Sequence, residues 1–270
     1  MFPLVMGVVN VTPDSFSDGG CFADPQDAVG HALGLVAAGA DVVDVGGEST
    51  RPGAEPVPFD EELRRVLPVV EALAGHVRVS IDTMKPAVAE AAVRAGATLV
   101  NDVSGSLDLA QVAAAQGVGW VCMHMQGSPH TMQHRPEYRD VVTEVTAFLA
   151  RQGAAARDLG VGEVWVDPGI GFGKTMAHNL ALLADLPRLV DAGFPVLVGT
   201  SRKSFLGRLL AEADGGDPTP TPVDDRLEGS SATAAWALLH GAAMVRVHDV
   251  AETVAARRAL LSPAQAGVPA

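Results

Sequence analysis

Eight times along this chain a short apolar run ends on a polar residue and is followed by a stretch of helical character. The runs are Leu4 to Val9, Asp41 to Val45, Val77 to Ile81, Thr98 to Val100, Trp120 to Met123, Val164 to Val166, Pro195 to Val198 and Ala243 to Val247. The intervening helices open on proline or acids and stop at glycine, as from Pro25 to Gly39 and from Pro86 to Gly96. One is expected from Ala177 to Ala192 and the last from Val250 to Leu261. Strands alternating with helices, without an antiparallel signal, predict a parallel sheet, and eight such units predict a (β/α)8 TIM barrel. One domain over 1–262, with 263–270 as a C-terminal tail, accounts for the whole length. The Gly-, Pro- and Thr-rich tract from Asp214 to Asp225 reads as a surface loop, because only one more period follows it. An open doubly wound sheet would want a dinucleotide fingerprint after an early strand. The closest candidate, Gly169-Ile-Gly-Phe-Gly173, has the wrong spacing and follows the sixth strand.

Composition narrows the function. A net charge of −13 argues against nucleic acid as a partner, because phosphate neutralisation needs clustered Lys and Arg. An anionic substrate must therefore be met by local basic residues or by a metal. Cys21 and Cys122 stand far apart and read as reduced thiols rather than a disulfide framework. Met1-Phe2-Pro3 leads straight into the first strand, and no apolar run approaches the ~18 residues of a membrane span, so a cytoplasmic protein is expected.

In a barrel the polar strand ends share one rim. Asn10, Glu48 to Arg51, Asp82, Asn101, His124, Asp167, Lys203, Arg246 and His248 would converge there. Asp82, Asn101 and Asp167, with Lys203, suit a flat heterocycle with an amidine-like N–H edge, since a carboxylate accepts two such bonds. These acids could equally pair with Lys203 or with backbone amides. Arg246 and His248 sit at strand period on one face of the eighth strand, near the end where barrels often bind phosphate. Asn10 is a neutral oxygen ligand of the kind Mg²⁺ takes when it keeps most of its waters. His and Cys residues at zinc spacing are missing, and His130 and His134 fall in a long loop. Gly169 to Lys174 lacks the Walker pattern, and Gly229-Ser230-Ser231 reads as a helix start rather than a nucleophile elbow.

Eight blocks in order carry a resemblance: Met6 to Gly19, Asp44 to Gly53, Ser80 to Thr83, Asn101 to Gly105, Met123 to Gly127, Asp167 to Lys174, Gly199 to Gly207 and Val245 to Asp249. Together the chain resembles the dihydropteroate synthases of folate biosynthesis. That resemblance implies a pterin-binding barrel joining 6-hydroxymethyl-7,8-dihydropterin diphosphate to 4-aminobenzoate, releasing diphosphate. It implies that Asp82, Asn101, Met123, Asp167 and Lys203 hold the pterin, with Arg246 stacking on the ring. Arg51, Arg246 and His248 would meet the diphosphate with Asn10, the latter through Mg²⁺. Phe16, Thr50, Arg51, Pro52, Phe172, Lys203 and Ser204 would shape the aminobenzoate pocket. Arg51, Lys203, Arg246 and His248 would be the catalytic residues, and a homodimer is implied. Related barrels transfer a methyl group from methyltetrahydrofolate to a corrinoid protein, but the intact Thr50-Arg-Pro-Gly53 and Ser201-Arg-Lys-Ser204 speak against that chemistry. A degenerate pterin-binding paralogue without activity would have lost a rim residue, and each is in place.

Overall fold

The computed structural model describes residues 2–12, 25–51, 53–213, 215 and 220–265, with side chains to 261. Eight strands alternate with helices: β1 Leu4–Asn10, β2 Val42–Gly46, β3 Arg78–Asp82, β4 Leu99–Asp102, β5 Gly119–Met123, β6 Val164–Asp167, β7 Leu197–Val198 and β8 Met244–Val247. The helices are α1 Pro25–Ala37, α2 Phe59–Leu73, α3 Pro86–Ala95, α4 Leu107–Gln116, α5 Val141–Asp158, α6 Met176–Ala184, α7 Leu186–Val190, α8 Ser204–Ala213, α9 Leu227–Leu239 and α10 Val250–Gln265. Every strand pair is parallel, in the order β6-β5-β4-β3-β2-β1-β8-β7. A parallel bridge from Val166 to Val196 brings the two edges together, which closes the expected (β/α)8 barrel.

Strand period explains both the apolar runs and their polar ends. Val43, Val45, Val79 and Ile81 point outward and pack, fully buried, with Val66, Val70 and Leu73 of α2. Residues of the opposite parity meet inside the barrel, where Met6, Val42, Leu99, Val121, Trp165, Leu197 and Met244 form a second buried cluster. Both faces of the sheet are therefore apolar, as a parallel barrel requires. Two residues beyond each of five members of that cluster stand Asp44, Asn101, Met123, Asp167 and Arg246. The same alternation that fills the barrel with hydrocarbon lifts these side chains onto its upper surface.

Two helices depart from expectation. The stretch read as one helix from Ala177 to Ala192 is α6 and α7, broken at Asp185. Pro187 has no N–H for the carbonyl four residues back, so the α6 ladder cannot continue. That carbonyl, Leu183 O, accepts instead from Trp236 Nε1 of α9 at 2.8 Å. At the other end α10 runs to Gln265, so 263–265 belong to the last helix rather than to a tail. Pro68, by contrast, lies inside α2 without ending it. Among the described residues, no helix is long and apolar enough to cross a membrane.

Candidate active site

The upper ends of the strands surround a cavity of about 840 Å³. Asn10, Thr50, Arg51, Asp82, Phe172, Lys203, Ser204, Arg246 and His248, all named from sequence, line it. Asn101, Met123 and Asp167 are buried and lie outside that open wall. Phe16 and Pro52 lie outside the described residues, as does Cys21.

One fully buried carboxylate is a residue that sequence reasoning left unassigned. Asp44 of β2 is fully buried, and its Oδ2 accepts from Asn101 Nδ2 at 2.9 Å and from Arg246 Nε at 2.6 Å. The Arg246 guanidinium also donates from Nη2 to Asp82 Oδ2 at 2.9 Å, so one cation spans two carboxylates. Burial disfavours the charge of Arg246, but Asp44 and Asp82 outweigh it and raise its pKa. Asp82 is pushed toward its neutral form: burial raises it to about 7 against the pull of Arg246. Among the described residues, Oδ1 of Asp44 and Oδ1 of Asp82 have no hydrogen-bond partner. Buried acceptors without partners are costly, and of the two Asp82 lines the cavity while Asp44 lies beneath it, fully buried. A carboxylate in an otherwise apolar strand, two residues before its end, was the available signal for Asp44.

A second group of residues gathers at the ends of β6 and β7. Asp167 Oδ1 accepts from Gly169 N at 2.7 Å. Burial raises its pKa, opposed by the nearby charge of Lys203. Lys203 lies over the Phe172 ring, 4.8 Å from its centroid, and its amine donates to Ile170 O. Burial lowers its pKa to about 8, with Asp167 holding it up. Lys203 is aimed by a turn in which Arg202 takes φ 59°, a left-handed conformation rare for a side-chain-bearing residue. The contacts that hold that turn include Arg202 Nη2 to Asp249 Oδ1 at 2.6 Å, Arg202 Nε to Asp249 Oδ2 at 3.2 Å, Arg202 N to Ser230 Oγ at 2.9 Å, and Arg226 Nη1 to Arg202 O at 2.9 Å. Ser230 thus serves as an anchor. His248 packs its Nδ1 3.0 Å from Ser201 Oγ, and burial together with Arg246 and Arg202 lowers its pKa to about 3, so the ring is neutral at pH 7.

His124, expected on the rim, is not part of the cavity wall. It is caged with Lys174, whose Nζ lies 3.0 Å from His124 Nδ1 and donates to His124 O, Gly169 O and Phe172 O at 2.9–3.1 Å. Burial lowers Lys174 to about 7 and His124 to about 3. The lysine that superficially resembled part of a phosphate loop is therefore a clip, fastening the 169–173 loop to the end of β5. His130 and His134 are exposed, as expected of loop residues. Among the described residues, no group of three or more His, Cys, Asp or Glu could hold a metal.

The clip leaves no room at Gly169. Its φ is +65°, and a Cβ there would lie 1.9 Å from His124 O. Gly169→Ala is expected to cost about 3 kcal/mol or more in denaturant unfolding and to weaken the site through Asp167. Gly160→Ala, at φ +97° in open space, should cost only ~1–2 kcal/mol. Equal costs would show that backbone strain alone, not the close approach, governs Gly169.

Residues 6–248 match the family described as pterin binding enzyme. The dihydropteroate synthase of Mycobacterium leprae is 51% identical over 257 residues, covering 93% of this chain and 89% of that one. The crystal structure of Yersinia pestis dihydropteroate synthase with a sulfonamide drug complex superposes with a TM-score of 0.90 at 45% identity, over 97% of this chain and 94% of that one. That of Xanthomonas albilineans, in complex with 7,8-dihydropteroate, gives 0.82 at 43% identity, over 99% and 95%. Likeness of this extent, in sequence and in backbone, settles the affiliation: the chain belongs to the pterin binding enzymes and, among them, to the dihydropteroate synthases.

Proposed function

We propose the following division of labour for the condensation of 6-hydroxymethyl-7,8-dihydropterin diphosphate with 4-aminobenzoate to 7,8-dihydropteroate and diphosphate. Asp82, Asn101 and Asp167, with Met123 and Lys203, hold the pterin, and Asp44 joins them through Asn101 and Arg246. The observation that carries this reading is Asp82 at the cavity wall, whose buried Oδ1 has no partner among the described residues and suits the N–H edge of a heterocycle. Arg246, His248 and Arg51 face the diphosphate. Thr50, Arg51, Phe172, Lys203 and Ser204 line the same cavity and form the aminobenzoate side, to which Phe16 and Pro52 are assigned by resemblance.

The arylamine is a neutral nucleophile at pH 7, so its attack needs no strong base. The C–O bond to diphosphate breaks, the C–N bond forms, and the amine gives up one proton. Arg246 and Arg51 stabilise the departing negative charge. Asp82 and Asp167 stand where positive charge develops on the pterin-methyl group. Asn10 is assigned to Mg²⁺: a single neutral oxygen at the cavity wall fits an ion that keeps several waters and is shared with substrate phosphate. When bound, the ion screens the charge of the leaving group. Asn10→Ala should raise the Mg²⁺ concentration needed for half-maximal rate, and no change would remove the assignment.

The protein is assigned to the cytoplasm, where buried Cys122 stays a free thiol. The homodimer is supported by exposed Leu180 on α6 and exposed Trp236 and Leu239 on α9, helices joined at Leu183 O. Sedimentation equilibrium reading a single chain mass would remove it. The division of labour itself is tested by Arg51→Ala. Its KM for aminobenzoate should rise about tenfold or more, while affinity for the hydroxymethyl-dihydropterin lacking its diphosphate stays within about threefold. Equal loss of both would count against it.

A further inference from the structure

Behind the loop that carries Thr50 and Arg51 lies a charge network that the reaction itself does not use. Glu62, on α2 and fully buried, accepts from Thr83 Oγ1 and from Lys85 Nζ, each at 2.6 Å. The same Lys85 amine donates to Glu48, whose residue lines the cavity. One ammonium thus serves two carboxylates from different elements. Burial disfavours its charge, but the hydrogen bonds to Glu48 and Glu62 outweigh this and raise its pKa. One residue earlier, Gly47 O accepts from Arg65 Nη1 at 2.8 Å, and a Cβ on Gly47 would lie 2.7 Å from Val66 Cγ1. The chain is therefore pressed against α2 at residue 47 and tied down at residue 48, immediately before Ser49-Thr50-Arg51.

We propose that Lys85 is a positioning residue for the arylamine half of the reaction: by neutralising Glu48 and Glu62 together it fixes the loop that presents Thr50 and Arg51, and keeps an unpaired carboxylate from facing an anionic substrate. The inference rests on the reading that Thr50 and Arg51 serve the aminobenzoate. Without Lys85, Glu48 and Glu62 repel each other across a gap that one ammonium had closed. Glu62 stays on its helix, bonded to Thr83, so Glu48 and its loop are what move. An unpaired Glu48 at the cavity wall then opposes the carboxylate of 4-aminobenzoate.

The test is steady-state kinetics with each substrate varied, together with calorimetric binding of the hydroxymethyl-dihydropterin lacking its diphosphate. It compares wild type, Lys85→Met, Lys85→Arg, the double variant Lys85→Met/Glu48→Gln, and Arg51→Ala. Lys85→Met should raise the KM for aminobenzoate about tenfold or more, with pterin affinity within about threefold of wild type. Lys85→Arg keeps the charge and should stay within about threefold. The double variant, which removes the offending carboxylate as well, should recover part of the lost KM. That recovery separates an electrostatic positioning role from simple loosening of the fold, and stays readable where Lys85→Met folds poorly. Loss of both substrates in parallel, without recovery in the double variant, overturns the proposal. If Arg51→Ala raises the KM for aminobenzoate and Lys85→Met does not, the role of Lys85 alone falls. If Arg51→Ala leaves that KM unchanged, the reading of the loop falls with it.

Discussion

Arg246→Met should reduce kcat/KM by about a thousandfold or more and weaken the fold by ~3 kcal/mol or more. The two effects share one cause. The guanidinium holds Asp44 Oδ2 at 2.6 Å and Asp82 Oδ2 at 2.9 Å, and removing it leaves two carboxylates at the top of the barrel with no cation between them. Asp82 already sits at about 7 with Arg246 present, and the arginine is what pulls it down. In the variant its folded pKa rises further, so the folded state binds a proton that the unfolded chain has released. Below about 7, Asp82 is protonated in both proteins and costs both equally. As pH rises beyond that, wild type ionises with Arg246 as partner while the variant cannot, and the stability gap widens. Urea unfolding at pH 6 and pH 9 should therefore show a larger difference at pH 9. Arg246→Lys keeps a charge but loses the fork that reaches both acids, and should recover stability better than activity. A gap that shrinks with pH would contradict the assigned coupling.

Asp167→Asn should weaken binding of pterin diphosphate by about 10- to 100-fold while leaving the fold as stable as before or slightly more so. The amide can still accept from Gly169 N through its oxygen, so the loop anchor survives. What disappears is a buried negative charge that burial disfavours, and that gain offsets the loss of a counter-charge for Lys203. The affinity loss follows because an amide offers one acceptor where the carboxylate offers two. A second consequence is carried by Lys203. Its pKa of about 8 is held up by Asp167, so the substitution lowers it further and more of the amine is neutral at pH 8. The alkaline limb of the affinity profile should move to lower pH. Isothermal titration across pH 6.5–9 checks both points, and unchanged affinity would remove Asp167 from the pterin side.

Much of this arrangement was readable from spacing because strand period does two jobs. The residue two beyond an inward apolar side chain is also inward, so Leu99 points to Asn101, Trp165 to Asp167 and Met244 to Arg246. What spacing does not carry is which charges meet across the barrel. Arg246 and Asp44 are 202 residues apart, and their pairing depends on closure between β8, β1 and β2. Asp44 therefore read as a strand residue rather than as a buried carboxylate beneath the site. Lys174 and His124 were similarly opaque, since only the folded 169–173 loop supplies the carbonyls that turn a lysine into a clip. The helix break at Asp185 was different: Pro187 stands in the sequence, and a residue without an N–H is a local signal for it. The aminobenzoate side is legible only in part, as Phe16 and Pro52 lie outside the described residues.

The central claim is that a single barrel mouth holds the heterocycle on buried acids and releases its diphosphate toward cations at the lip, with the arylamine entering beside them. The most direct measurement mixes purified protein, pterin diphosphate, 4-aminobenzoate and Mg²⁺, and follows dihydropteroate and diphosphate together. The account predicts their formation in equal amounts and only when aminobenzoate is present. Tight pterin binding with neither product formed would contradict it.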